Sequence, residues 1–303
     1  MEITQNCLRL FETASEYDDA RNNDYHEPWV SYTNEVSAVT YNKTQEEKLL
    51  ETPLTFEITG DGNIVWKAQN TAYRPTIEYK KNDGAWTSIT SSTGGTNISV
   101  VSGDTVQFRG DNATYASGTS RYNIFSGTTC QFKVKGNLMS LINSTDFATA
   151  TTLVSSYTFY YLFRGCLGLT SAKNLVLPAT TLANYCYSNI FNGCTSLTSA
   201  PELPATTLAN NCYENMFYGC TGLTTAPELP ATTLVDYCYS SMFEDCSSLN
   251  YIKAMFTTTP GNSYTSRWVS GVAATGTFIK NSSATWTTTG VNGIPTGWTV
   301  LDA

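Results

Sequence analysis

Histidine is nearly absent from this 303-residue chain, which has only His26. A Ser-His-Asp or Cys-His catalytic arrangement would have that single imidazole to draw on, and His26 sits in a polar stretch close to Pro28 with no nucleophile motif near it. Cations are scarce as well. With 17 Lys and Arg against 25 Asp and Glu, the net charge is −8, and the basic face that a nucleic acid requires is excluded. No apolar run approaches the roughly 20 residues of a membrane span, so no membrane insertion is expected. None of the nine cysteines forms a C-x-x-C pair, which removes the usual spacing of a zinc site or a redox dithiol. Phosphate-cradling glycine loops followed by lysine are missing too. The expectation is a non-enzymatic chain with no catalytic residue, no cofactor and no metal. A paired-carboxylate glycosidase is the one class left open, because its acids need not be neighbours in sequence. The opening Met1–Leu10 has neither a basic n-region nor an apolar h-region, so no signal peptide is expected.

What the chain does contain is 48 Thr, 19 Tyr, 13 Phe and 6 Trp. These side chains favour half-buried pleated surfaces, so the expected fold class is mainly β. The clearest feature is a repeat. Leu177–Glu202 (LPATTLANYCYSNIFNGCTSLTSAPE) returns as Leu203–Glu228 and again, diverging at its end, from Leu229; the first two copies agree at 20 of 26 positions. A degenerate earlier copy, Leu153–Leu175, keeps Phe163, Gly165, Cys166 and Leu169.

The repeated positions are an apolar skeleton: Leu182, Cys186, Phe191, Cys194 and Leu197, then Cys212, Phe217, Cys220 and Leu223, then Cys238, Phe243, Cys246 and Leu249. One copy cannot bury such a face alone, so the copies are expected to stack like upon like as a solenoid. Each is read as an extended run after the second Cys, a corner at the prolines and a helical turn opposite. Stacked cysteines would lie about 5 Å apart, within disulfide range. Buried thiols are expected instead, since a position filled in every copy is what core packing requires.

Positions that change between copies are expected to face outward: Tyr185, Asn211 and Tyr237; Ser188, Glu214 and Ser240; Asn192, Tyr218 and Glu244. Three of these nine are aromatic, which makes them candidates for a ligand face.

Residues 51–145 read as a separate antiparallel β-sandwich with three hairpins. These are Leu54/Phe56/Ile58 to Ile64/Trp66/Ala68, Ile77/Tyr79 to Trp86/Ile89, and Ile98/Val100 to Val106/Phe108, with a final strand at Phe132 and Val134. Asp61, Asp83, Asp104 and Asp111 stand in turns, where the side chain bonds local backbone. Trp66 and Trp86 lie on strand faces, where core packing is expected rather than a sugar-stacking platform. Residues 1–50 read as a small α/β module, with a helix over 11–22 and strands at 29–33 and 36–41, followed by a charged connector at 43–51. So small a unit needs a partner to be stable.

Two resemblances follow from these motifs. Phe-x-x-Cys-x-x-Leu (Phe191, Cys194, Leu197 and their equivalents) resembles the BspA-like leucine-rich repeats of gut-bacterial surface proteins, over about residues 150 to 256. The closing stretch, with Gly276-Thr277-Phe278, Trp286 and Gly297-Trp298, looks like the end-cap that follows such repeats, giving a domain over 146–303. The combination of Phe11, Glu16-Tyr17, Pro28, Val30-Ser31-Tyr32, Glu35 and Tyr41-Asn42 resembles the opening of virion proteins of tailed phages of gut bacteria, including the crAss-like group.

The second resemblance implies a head fibre or capsid decoration protein, made in the host cytoplasm and released by lysis. Phe11, Tyr17, Trp29, Val30, Tyr32 and Tyr41 would dock it on capsid or other virion proteins. The repeats would then meet glycans or proteins of host cells or mucus, with homo-oligomers adding avidity. A bacterial surface adhesin with the same repeats is the alternative, and an intracellular scaffold the third reading.

Overall fold

Period-two alternation from Leu54 to Phe108 does produce six strands, but their partners differ from those expected. The computed structural model describes residues 43–125 and 128–303. The helix over 11–22, the strands at 29–41, His26 and the docking candidates Phe11, Tyr17, Trp29, Val30, Tyr32 and Tyr41 lie outside the described residues. The connector becomes one short helix, α1 (Gln45–Glu51), started by a capping box in which Thr44 and Glu47 bond each other's backbone N–H.

The strands are β1 (Leu54–Ile58), β2 (Gly62–Ala68), β3 (Thr76–Lys81), β4 (Thr87–Thr90), β5 (Thr96–Val100), β6 (Thr105–Arg109), β7 (Asn123–Phe125), β8 (Phe132–Asn137) and β9 (Leu169–Val176). One sheet runs β4-β3-β6-β1-β8-β9 and a second runs β5-β2-β7. Only the middle expected hairpin forms, with Ile77 opposite Ile89. The other two are corrected: β1 and β2 lie in different sheets, as do β5 and β6. At the first crossing the chain is held away from β1, because the N–H groups of Thr59 and Gly60 donate to Gln131 O at 2.8 and 3.2 Å. Gly62 is needed there, since its φ is 153° and a Cβ would meet Cys130 N at 2.6 Å.

At the second crossing Asp104 ties its own loop to the end of β3. It accepts from Val101 N–H, Asn82 Nδ2 and Lys81 Nζ, each at 2.8 Å. The bonds from Lys81, Val101 and Asn82 hold its pKa down at about 2, against an ordinary 3.8. A carboxylate more acidic in the folded chain contributes stability above its unfolded value and loses it as pH falls through the folded one. Asp104→Asn should therefore flatten the fall in urea midpoint between about pH 4 and pH 2. An unchanged slope over that window would remove Asp104 from the acid response. Asp61 and Asp111 also bond backbone, though that of distant loops, at Ser102 N and Ser144 N.

The repeats build a second body of structure that is continuous with the first. Strand β9 belongs to the degenerate copy and pairs in parallel with β8, Phe132 opposite Leu169 and Asn137 opposite Val176. Phe56 stacks on Phe132 at 4.6 Å, and Phe163 of that same copy lies 5.8 Å from Phe125. The expected boundary at 145/146 is thus crossed by a strand pair and a shared core, and residues 43–303 form one compact unit.

The copies stack like upon like. Phe163, Phe191, Phe217 and Phe243 form a row with centroids 5.6, 5.5 and 5.7 Å apart and planes within 8°. Phe159, Tyr187, Tyr213 and Tyr239 form another at 5.8, 5.8 and 6.0 Å. The eight described cysteines are free, buried thiols. Cys194, Cys220 and Cys246 donate Sγ–H to the carbonyls of Phe163, Phe191 and Phe217 at 3.1, 3.1 and 3.0 Å. Burial pushes the pKa of Cys186, Cys194 and Cys246 up to about 12, so these thiols stay protonated. Leu182 is the exception in the skeleton, packing half-buried at the margin of the core.

The expected helical turn is replaced by consecutive tight turns. N–H groups at even positions from Cys186 to Cys194 bond back three residues, at 3.0 to 3.3 Å. Those at odd positions from Tyr185 to Gly193 cross to carbonyls of the next copy, at 2.7 to 3.1 Å. A helix would keep every such bond within its own copy, whereas this ribbon spends alternate donors on stacking. It needs a left-handed residue at every fourth position, and Tyr185, Asn189 and Gly193 have φ of 57°, 60° and 74°.

After Cys246 the ladder continues through three parallel strands, β10 (Tyr251–Ala254), β11 (Thr277–Lys280) and β12 (Thr299–Asp302), with Tyr251 opposite Thr277 and Thr277 opposite Thr299. Trp268 takes the next place beside Phe243, at 6.2 Å. The molecule is mainly β with few helices and several sheets, and among the described residues no sheet closes into a barrel.

Candidate functional site

Stacked turns put four rows of side chains on one surface, each row collecting one position from every copy. The first row is Tyr157, Tyr185, Asn211 and Tyr237, all left-handed, with φ of 61°, 57°, 57° and 54°. The second is Tyr160, Ser188, Glu214 and Ser240. A third is Tyr161, Asn189, Asn215, Ser241 and Arg267, with φ from 50° to 63°. The fourth is Arg164, Asn192, Tyr218 and Glu244.

Not all of the variable positions face water as expected. Ser188, Asn211, Ser240 and Glu244 are buried at 0, 9, 8 and 6 % exposure, while Tyr185, Asn192, Glu214 and Tyr218 are half-buried and Tyr237 is 47 % exposed. The reason is that rows cover one another. Asn189 Nδ2 donates to Ser188 Oγ at 2.8 Å, and Asn211 Nδ2 to Glu214 Oε2 at 3.0 Å. Ser240 Oγ lies 3.5 Å from Ser266 O, and Arg267 Nε donates to Glu244 at 2.9 Å. Variation between copies here records pairing with the next copy as well as exposure.

Two sites of distinct character result. At the early end, Tyr157 and Tyr185 stack at 4.7 Å and 6°, and Tyr160 and Tyr161 lie 4.2 Å apart. Tyr122 from the loop before β7 meets Tyr161 at 4.5 Å, and the Arg164 guanidinium covers the Tyr161 ring at 4.6 Å. Burial raises the pKa of Glu214 although Asn211 bonds it. Burial also raises Tyr185, with smaller contributions from Tyr157 and Glu214. At the late end, burial opposes the charge on Glu244, yet its pKa is lowered because Arg267 and Ser241 bond it. Tyr218 is raised, chiefly by its bond to Asp245.

Sequence reasoning missed left-handed Tyr157 and Tyr161, which lie in the degenerate copy, and Tyr122, which lies before β7 outside the copies, so a comparison of the close copies could not find them. Trp66 is core at 0 % exposure, as expected. Trp86 is corrected from core to a half-exposed ring under Arg109, 4.2 Å from its centroid. A separate open groove of about 880 Å³ runs between α1 and the extended segments, past Leu50, Leu175, Ala200 and Pro204. Among the described residues no group of three or more His, Cys, Asp or Glu is placed to hold a metal ion, and no helix is long and apolar enough to cross a membrane. No protein family, curated protein or solved structure matches the chain.

Proposed function

We propose that this chain is a non-enzymatic structural protein of a phage virion, a head fibre or capsid decoration. In this reading residues 1–50 dock on a capsid or other virion protein, the two facing sheets are a β-sandwich, and the copies are a leucine-rich-repeat solenoid closed by a C-terminal cap. The observation that carries the display role is the like-on-like stacking of the copies. Rows of like rings and thiols repeat through a buried interior, while the outer rows change from copy to copy. A stacked support with variable outer positions suits presentation of weak contacts, which copies on one particle sum into avidity. The virion assignment rests on the resemblance of the opening segment.

The test is sedimentation of a lysate of producing cells, probed with an antibody to the chain. The full chain should travel with purified particles, and a variant starting at Lys43 should remain in the supernatant. Signal in the cell envelope instead would favour the bacterial surface adhesin.

A further inference from the structure

We infer that β12 pairs edge to edge with β12 of a second copy, making a two-fold dimer. This goes beyond the virion reading and does not rest on it. In the parallel sheet β10-β11-β12 the last strand has a neighbour on one side only. Thr299 N–H donates to Gly276 O at 2.9 Å and Ala303 N–H to Lys280 O at 2.8 Å, both on the β11 side. Backbone groups alternate in direction along a strand, so the N–H and C=O of Val300 and Asp302 face the open side. Main-chain groups at that spacing are matched by another extended strand.

The side chains say which strand. Ile252 stands opposite Phe278, and Phe278 opposite Val300. Ile252 and Phe278, each with a further strand beyond it, are 0 % exposed, whereas Val300 is 42 % exposed and Leu301, on the other face, 49 %. A terminal layer that meets water is ordinarily polar, and an edge strand is guarded by Lys, Pro or a bulge. Thr299-Val300-Leu301-Asp302 has none of these: its register with β11 is unbroken, and shortness is its one protection. The β4 and β5 edges offer it no apolar match, since their exposed residues are Thr87, Ser88, Thr90, Asn97 and Ser99. A second β12 does.

An antiparallel pair with its two-fold axis at Leu301 satisfies every open group. Val300 stands opposite the partner's Asp302, and each such pair exchanges both of its N–H to O bonds. Leu301 meets the partner's Leu301 in the close pair between them, with Cβ atoms about 4.5–5.5 Å apart. At the other end of the ladder β9 is already paired with β8, so the contact closes as a dimer and does not grow a filament. Strands this short bury less than the roughly 1,200 Å² of a stable interface, which makes the dimer weak and dependent on concentration. Crowding of copies on one support would favour it.

Sedimentation equilibrium of the purified full chain from about 1 μM to 1 mM, the span of weak contacts, tests the pairing. The mass should rise from 33.1 kDa toward twice that value. Leu301→Lys sets two ammonium groups face to face across the axis and should weaken association at least about tenfold. Leu301 lies on the exposed edge of a single copy, so the thermal midpoint of that variant should hold. Leu301→Cys reads the contact directly. Under mild oxidation it should give a disulfide-linked dimer on a denaturing gel, beyond the level of the unmodified chain with its nine native thiols. Thr87→Cys, on the β4 edge, should give no such excess. A mass that stays at one chain up to about 1 mM overturns the inference. So does a dimer that Leu301→Lys leaves at full strength, or one that crosslinks as readily through Thr87→Cys as through Leu301→Cys, since the contact would then lie elsewhere.

Discussion

Replacing Phe217 by alanine should lower the stability of the chain by about 3–5 kcal/mol, the range for a large aromatic removed from a filled core. Phe217 is fully buried and stacks on both sides, 5.5 Å from Phe191 and 5.7 Å from Phe243. Its neighbours cannot close the gap, because each is pinned by cross-copy backbone bonds such as Phe191 N–H to Met216 O at 3.0 Å and Phe217 N–H to Met242 O at 2.9 Å. A cavity flanked by a rigid ladder stays open, which puts the cost at the upper end for such a change. For a unit of this size the thermal midpoint should drop by roughly 10 °C. Chemical denaturation of the full chain measures the loss directly. A cost below about 1 kcal/mol would mean that the row relaxes and the like-on-like stack is not what stabilises the copies.

Gly168→Ala should be nearly as damaging for a different reason. Gly168 lies just before β9, where the repeat joins the sheet, and its carbonyl accepts from Phe132 N–H at 2.9 Å. A Cβ there would lie 2.0 Å from the Cys130 carbonyl oxygen. Both partners are backbone, so relief requires β8 and β9 to part. Overpacking ordinarily costs about 1–3 kcal/mol, and a clash against fixed main chain belongs at or above the top of that range. The substitution therefore probes the joint between the two bodies. Unfolding followed through tryptophan emission, with Trp66 buried in the sheets and Trp268 in the ladder, should show a lower urea midpoint than the unmodified chain. An unchanged midpoint would show that the β8–β9 seam contributes little and that the parts stand independently.

The repeat was legible from the order of residues because stacking is a nearest-neighbour problem. A residue such as Phe191 or Cys194 that returns every 26 positions has one way to be buried, over its own equivalent. The Tyr187, Tyr213 and Tyr239 row carried the same signal and was readable by the same logic. Strand positions were legible too, since Leu54, Phe56 and Ile58 alternate with polar residues. Their partners were not. Alternation fixes which face of β1 or β5 turns inward and leaves open whether the next strand pairs beside it or crosses to the opposing sheet. Acceptance by the Gln131 carbonyl at the first crossing, and donation by Lys81 and Asn82 to Asp104 at the second, join partners distant in sequence and decided both crossings.

The candidate site divides in the same way. Comparing copies found Tyr185, Tyr237 and Glu214, but it also selected Ser188 and Glu244, which are buried and bonded by Asn189 of the same turn and by Arg267 of the following segment. Whether a changing side chain is a ligand contact or a seam contact depends on what the adjacent turn presents, and Arg267 opposite Glu244 is supplied by a segment outside the close repeats.

By itself the amino-acid order determined a mainly β chain with a 26-residue period, an interior of leucine, phenylalanine and unpaired thiols, and a net charge of −8 with no Lys or Arg in the three close copies. Those properties follow from local chemistry that every copy repeats. Tertiary structure alone decided that alternate amide donors leave their own turn for the next, that tyrosines take left-handed backbone in a row with one gap, and that the sheets and repeats share a core through β8 and β9. Each of these depends on which distant backbone atom stands opposite a given group, and no spacing along one strand of sequence specifies that.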